Sequence, residues 1–109
     1  MSDRGRSDPK YLFVCTAELV ENPPKLSVTP EELHKEHVAY LQDLFDKGIL
    51  MGSGPREDPS KNKMGGAIMI FQNIKTTEEA RAIAIQEPNI RDGLRTVSIS
   101  PWRRMWFGD

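Results

Sequence analysis

Two residues stand where the apolar pattern of a helix calls for an aliphatic side chain. His37 falls in the series Leu33, His37, Leu41, Leu44, at helical spacing. An imidazole directed from a helix into an apolar layer is a tunable acid or base near neutral pH. The plain alternative is a hydrogen-bonded histidine in or beside the core. Glu87 continues a second series, Ala80, Ile83 and Ala84, and immediately precedes Pro88. At the C-terminal end of a helix the macrodipole disfavours negative charge, so Glu87 is expected to find a cationic partner or to hold its proton more tightly. The plain alternative is a solvated acid at a frayed helix end. Together the two residues offer an acid–base pair, although spacing alone does not bring them into contact.

Other candidates carry weaker signals. His34 lies one turn before His37, and His-x-x-His binds metal when a third ligand joins it, but none stands at motif spacing, so no metal is expected. Met51-Gly52-Ser53-Gly54-Pro55 lacks the Gly-Lys-Ser/Thr ending of a phosphate loop. Its glycines suit a tight strand end or a close approach by a ligand, and Ser53 has no neighbouring base that would make it a nucleophile. Cys15, the one cysteine, sits in an apolar run and reads as core. The tail Pro101-Trp102-Arg103-Arg104-Met105-Trp106-Phe107 mixes aromatic and basic residues and reads as a packing segment, on its own subunit or on a partner.

The chain that must position these groups has 109 residues, a size that fits one domain with one modest core. Charged residues are 28% and hydrophobic ones 38%, a globular balance. A formal net charge of -1 gives no long-range attraction for nucleic acid or an anionic membrane. No apolar run reaches the roughly 20 residues of a membrane span, and the first residues lack the apolar core of a secretory signal. With no disulfide possible, a reducing cytoplasm is the expected compartment.

Residues 1–9 are polar and are expected to form a flexible N-terminal leader to a single domain over residues 10–109. Tyr11–Ala17 predicts the first strand. Thr29, Pro30 and Glu32 form a helix start, and Gly48 a stop, so the first helix is expected from about 30 to 47. Ile49–Ser53 predicts a second strand ended by Gly54-Pro55, followed by a polar loop from Arg56 to Lys63. Gly66–Phe71 predicts a third strand, apolar on both faces and therefore covered on both. Thr76 and Glu79 start a second helix, which Pro88 ends, and Arg95–Ser100 predicts the last strand. The order βαββαβ is the ferredoxin-like α+β arrangement. Two helices cover one face of such a sheet, and a second subunit is the simplest cover for the other.

An early β-prone strand, then Glu36-His37-Val38-Ala39-Tyr40-Leu41, then Gly48-Ile49-Leu50 leading to Ser53-Gly54-Pro55, resembles the YciI-like (YCII-related) family. The second half agrees, with Gly65-Gly66-Ala67-Ile68-Met69-Ile70, Glu78-Glu79-Ala80, Glu87-Pro88 and Pro101-Trp102. The resemblance implies a dimeric α+β barrel, two ferredoxin-like subunits packed sheet to sheet. It also implies a helix histidine and an acid before the proline acting as a pair, by motif His37 and Glu87. The family usually has aspartate before that proline. Glutamate carries its carboxylate about 1.5 Å farther along an extended side chain. Relatives include a dehydrochlorinase of hydroxylated aromatics, and muconolactone isomerase has a similar barrel.

The expected function is cofactor-independent acid–base chemistry of lyase or isomerase type on a carbonyl-bearing, hydroxylated aromatic or lactone-like substrate. His37 serves as general acid or base and Glu87 orients it. Ser53, Gly54 and Pro55 are expected to line the substrate pocket, and Arg56 or a tail arginine to hold an anionic substrate. The alternative is a non-catalytic homodimer that binds or senses a small molecule. RNA binding, which uses the same element order, is disfavoured because Gly66–Phe71 lacks the stacking aromatics of RNA-recognition motifs.

Overall fold

The computed structural model describes residues 6–58, 60 and 63–106. Its elements are β1 (Arg6–Leu19), α1 (Pro30–Asp46), β2 (Leu50–Asp58), β3 (Lys63–Phe71), α2 (Thr77–Ala84), the short α3 (Pro88–Arg91) and β4 (Arg95–Trp106). The four strands make one antiparallel sheet in the order β2-β3-β1-β4. This is the ferredoxin-like α+β arrangement expected from the element order, with one added helical turn.

Local chemistry explains the helix starts. Thr29 and Thr76 are extended N-caps whose side-chain oxygens accept from the Glu32 and Glu79 backbone N–H groups, each at 3.1 Å. A hydroxyl there satisfies a donor that the first helical turn leaves without a partner. Helix α1 stops where Gly48 adopts φ +75°, a left-handed conformation that costs other residues a clash at Cβ.

Every strand has a boundary that differs from expectation, and β3 begins at Lys63 rather than Gly66. Strand β2 does not end at Gly54-Pro55 but continues to Asp58, taking up the first three residues of the expected polar loop. It is an edge strand, where a proline removes no hydrogen bond from an interior ladder, and its register shifts between Pro55 and Glu57. Strand β1 begins at Arg6, ahead of the boundary expected at residue 10, and residues 1–5 of the expected leader lie outside the described residues. Strand β4 runs through Trp106 in register with β1, pairing Trp102 with Leu12 and Arg104 with Lys10. The aromatic-basic tail is therefore strand, apart from Phe107, which lies outside the described residues.

The pleat sorts the core. Phe13, Cys15, Met69 and Phe71 are buried with Leu44, Ile74, Ala80 and Ala84, and Val97 and Ile99 pack against them. These strand residues share the face that the helices cover, because paired positions such as Cys15↔Met69 and Cys15↔Ile99 point the same way. Val14, Thr16, Ile68 and Ile70 point to the opposite face and are half-buried. Burial pushes the Cys15 thiol up to about 12, with Arg81 opposing it weakly, so this core cysteine is held protonated. Gly66 lies so close to β1 that a Cβ would stand 1.6 Å from the Ala17 carbonyl oxygen. That approach brings β3 against the Ala17 backbone, close to the site described next.

Candidate functional site

Helix α1 lays its stripe on the sheet with Leu33 and Leu44 buried and Tyr40 and Leu41 half-buried. His37 lies between them with 24% of its side chain exposed. Phe45, next to Leu44, is 65% exposed.

Glu87 is not at the end of the helix that carries Ala80 and Ala84. That helix stops at Ala84, with Ile85 as its C-cap, and Pro88 opens a new turn rather than only closing the old one. Proline suits a first helical position, where its missing N–H is not needed. Glu87 becomes the N-cap of α3, and its Oε2 accepts from the Ile90 N–H at 3.1 Å. The dipole argument therefore changes sign, and a carboxylate is favoured here.

The pair meets. His37 Nδ1 lies 2.7 Å from Glu87 Oε1, and the Glu87 side chain is only 3% exposed. Asn89 Nδ2 donates to the same oxygen at 2.9 Å. Burial is the largest single influence on Glu87 and raises its proton affinity, but the hydrogen bonds from His37, Asn89 and Ile90 together outweigh it. The carboxyl is held below its ordinary range, so of the two outcomes expected for it, a partner or a more tightly held proton, the structure shows the partner. An ionised carboxylate only accepts, so Nδ1 carries the hydrogen of this bond. Nε2 remains as the nitrogen able to exchange a proton with a ligand, and it makes no hydrogen bond among the described residues. The additional methylene of glutamate is thus accommodated, since one oxygen reaches the imidazole while the other caps α3.

Tyr40, one turn after His37, donates its hydroxyl to the Ile83 carbonyl at 2.6 Å and ties α1 to the end of α2. Burial raises its proton affinity most, followed by the nearby charge of Glu87, so it stays a neutral donor.

His37 borders three spaces. A narrow cleft of about 10 Å³, room for about one water, is lined by Ala17, Ser53, Met69, Glu87, Ile90 and Arg95 with His37. A cavity of about 320 Å³ opens between Leu26, Pro30, Leu33, His34, Asn89 and Arg95. A second, of about 310 Å³, lies along the outer side of α1 beside Val38, Leu41 and Phe45. Of the residues expected to bind substrate, Ser53 lines the cleft, whereas Gly54, Pro55 and Arg56 line none of the three spaces. The Arg56 guanidinium is turned to the Glu18 carboxylate. His34 and His37 lie with ring centroids 6.2 Å apart, and among the described residues no group of three metal-ligating side chains forms.

Sequence reasoning missed Asn89, Tyr40 and Arg95. For Arg95 a signal existed: it begins the row Arg95, Val97, Ile99, whose other members face the helices. Asn89 gave none, because a single helical turn has no periodicity to read.

No curated protein gives a significant match to the sequence. Among solved structures, the chain is similar to 5-chloro-2-hydroxyhydroquinone dehydrochlorinase from Burkholderia phenoliruptrix AC1100, determined in complex with 2,5-dihydroxybenzoquinone, with TM-score 0.55 and 20% identity over 84% of this chain and 92% of that one. That likeness concerns the fold. The model of the YCII-related domain matches residues 12–103, nearly the whole described chain, and the protein therefore belongs to the YCII-related family.

Proposed function

We propose that this protein is a small-molecule enzyme that moves protons without a cofactor, in lyase or isomerase chemistry on a carbonyl-bearing, hydroxylated aromatic or lactone-like substrate. The observation that carries the reading is the 2.7 Å contact between His37 Nδ1 and the buried, ionised Glu87 at the junction of three open spaces. With Nδ1 committed to Glu87, Nε2 takes a proton from the substrate as general base, and the carboxylate stabilises the imidazolium that forms. The same proton is then returned to a neighbouring atom in an isomerisation, or lost to solvent when a leaving group departs. In this reading Ser53, which lines the cleft with the imidazole, contacts the reacting end of the substrate.

The working unit is proposed to be a homodimer. Val14, Thr16, Ile68 and Ile70 form an apolar patch on the sheet face away from the helices, and a second copy packed there sheet to sheet closes an α+β barrel. The dehydrochlorinase resembled in fold, with its hydroxylated quinone-type ligand, supports this class of substrate.

The test uses 5-chloro-2-hydroxyhydroquinone, following chloride release, and a panel of lactones and hydroxyquinones, following deuterium uptake from D₂O. Wild type is expected to turn over at least one of them, and His37→Asn to lower kcat about 10²- to 10⁴-fold while ligand binding persists. Binding without any His37-dependent turnover across the panel would point instead to a non-catalytic ligand-binding dimer.

A further inference from the structure

Among the described residues, Arg95 is the one arginine or lysine that lines both the cleft beside the His37–Glu87 pair and the cavity of about 320 Å³. Its place in the fold is unusual. Strand β4 alternates, and Val97 and Ile99 in the same row pack on the helix-side core. The first position of that row holds an arginine, half-buried as a residue, rather than another aliphatic side chain. A charged side chain on an apolar row is normally held by a carboxylate partner.

No such partner exists among the described residues. Glu87, which shares the cleft, directs its oxygens to His37, Asn89 and Ile90. Glu18 takes Arg56, and Glu36 takes Arg91. The cavity that Arg95 lines is bordered by the polar side chains of Asn89, His34 and His37 and by the apolar ones of Leu26, Pro30 and Leu33. Its volume falls within the range of small-molecule clefts.

We propose that Arg95 is the anion-binding residue of this site, and that the ligand is a small planar molecule bearing a carboxylate. A guanidinium presents two parallel N–H donors that match the two oxygens of a carboxylate better than the single oxygen of a phenolate. The apolar wall takes the ring or carbon skeleton. The carboxylate on Arg95 then holds the reacting atom toward His37 Nε2, so the arginine sets which substrates reach the proton-transfer group. The assignment rests on the acid–base reading for its role in turnover but not for its role in binding. It also moves the expected anion-holding function from Arg56 to Arg95.

The test compares 2,5-dihydroxybenzoate with neutral hydroquinone, two ligands of one ring that differ by the carboxylate, by NMR titration of the imidazole and guanidinium signals. In wild type the carboxylate ligand is expected to bind at least about tenfold more tightly and to lose that advantage as salt rises. Arg95→Gln is expected to abolish the preference, and Arg95→Lys to restore part of it. Failure of 2,5-dihydroxybenzoate to bind wild type, equal binding of the two ligands, or a preference that survives in Arg95→Gln would each overturn the proposal. Should Arg95→Gln not fold, the salt dependence of the wild-type preference and the Arg95→Lys titration decide the question. His37→Asn separates the two readings: it is expected to keep the carboxylate preference, so a panel without turnover sinks the acid–base reading alone, whereas loss of the preference in Arg95→Gln bears only on the anion site.

Discussion

Helices α1 and α3 are joined by two charged contacts, from adjacent residues of α1 to opposite ends of α3, and the two differ in almost every respect. Glu36 meets Arg91 at 3.1 Å with both side chains nearly half exposed, and Arg91 is shared with Asp92. His37 meets Glu87 at 2.7 Å with the carboxylate buried. The outer pair is set in water, where ion pairs contribute little because solvent already satisfies both charges. In the inner pair, Glu87 relies on three protein donors to replace its lost hydration, and its geometry is therefore specified. One helix pair thus carries a solvated surface contact and, one residue along, a buried contact whose carboxylate is held by three donors. What separates them is burial and the N-cap, not charge type.

The largest expected effect comes from breaking the inner contact. Glu87→Ala strands the Ile90 N–H and the Asn89 amide, removes the cap of α3 and frees the imidazole to rotate. It is expected to cost about 3 kcal/mol in urea unfolding and about 10²-fold in kcat for whichever substrate is turned over. A stability loss no greater than that of an exposed acid would remove the contrast between the pairs.

A smaller, pH-dependent effect follows from the Glu87 carboxyl, whose folded proton affinity lies below its ordinary value. A group depressed in this way adds stability that is fully present above about 4.5, the ordinary glutamate value, and is lost as pH falls through the folded value. Asp58 and Asp92 are depressed too, so wild type alone does not isolate the effect. The difference between wild type and Glu87→Gln does. It should shrink as the pH is lowered below about 4.5. A difference that grows as the pH falls below that value would contradict the ionised assignment.

The smallest effect belongs to the outer pair. Arg91→Ala and Glu36→Ala are each expected to leave Tm within about 2 °C of wild type, with the difference vanishing at 0.5 M salt. In a double-mutant cycle the outer pair should show no measurable coupling, while His37 and Glu87 should couple by about 1–3 kcal/mol. Equal coupling in both cycles would mean that burial is not the deciding variable.

The elements were legible where the signal is local. The Thr29 and Thr76 caps and the Gly48 stop are written in a few adjacent residues, so both helices begin, and α1 ends, close to where those residues predict. Strand alternation around Cys15 and Met69 likewise follows from side-chain period. Legibility failed where one residue serves two neighbours. Pro88 ends one helix pattern and begins another, so Glu87 was placed at the wrong kind of terminus, with the sign of the dipole reversed. Pro55 reads as a strand breaker unless the strand is known to lie at the edge of the sheet.

His37 and Glu87 could both be picked out from composition and period, since each is a polar residue on an apolar stripe. Their contact spans 50 positions of chain, and no local rule reaches that far. It depends on the sheet order, which carries α1 and α3 to the same face, and on the turn that lets Pro88 restart a helix. The charge states were beyond the chain chemistry for the same reason. Whether a carboxylate is buried, capped or paired is a property of its neighbours in space. Arg95 shows this most directly: in the sequence it is one of many cations in a chain of balanced charge, and only the packed structure sets it in the lining of the cleft that His37 and Glu87 share.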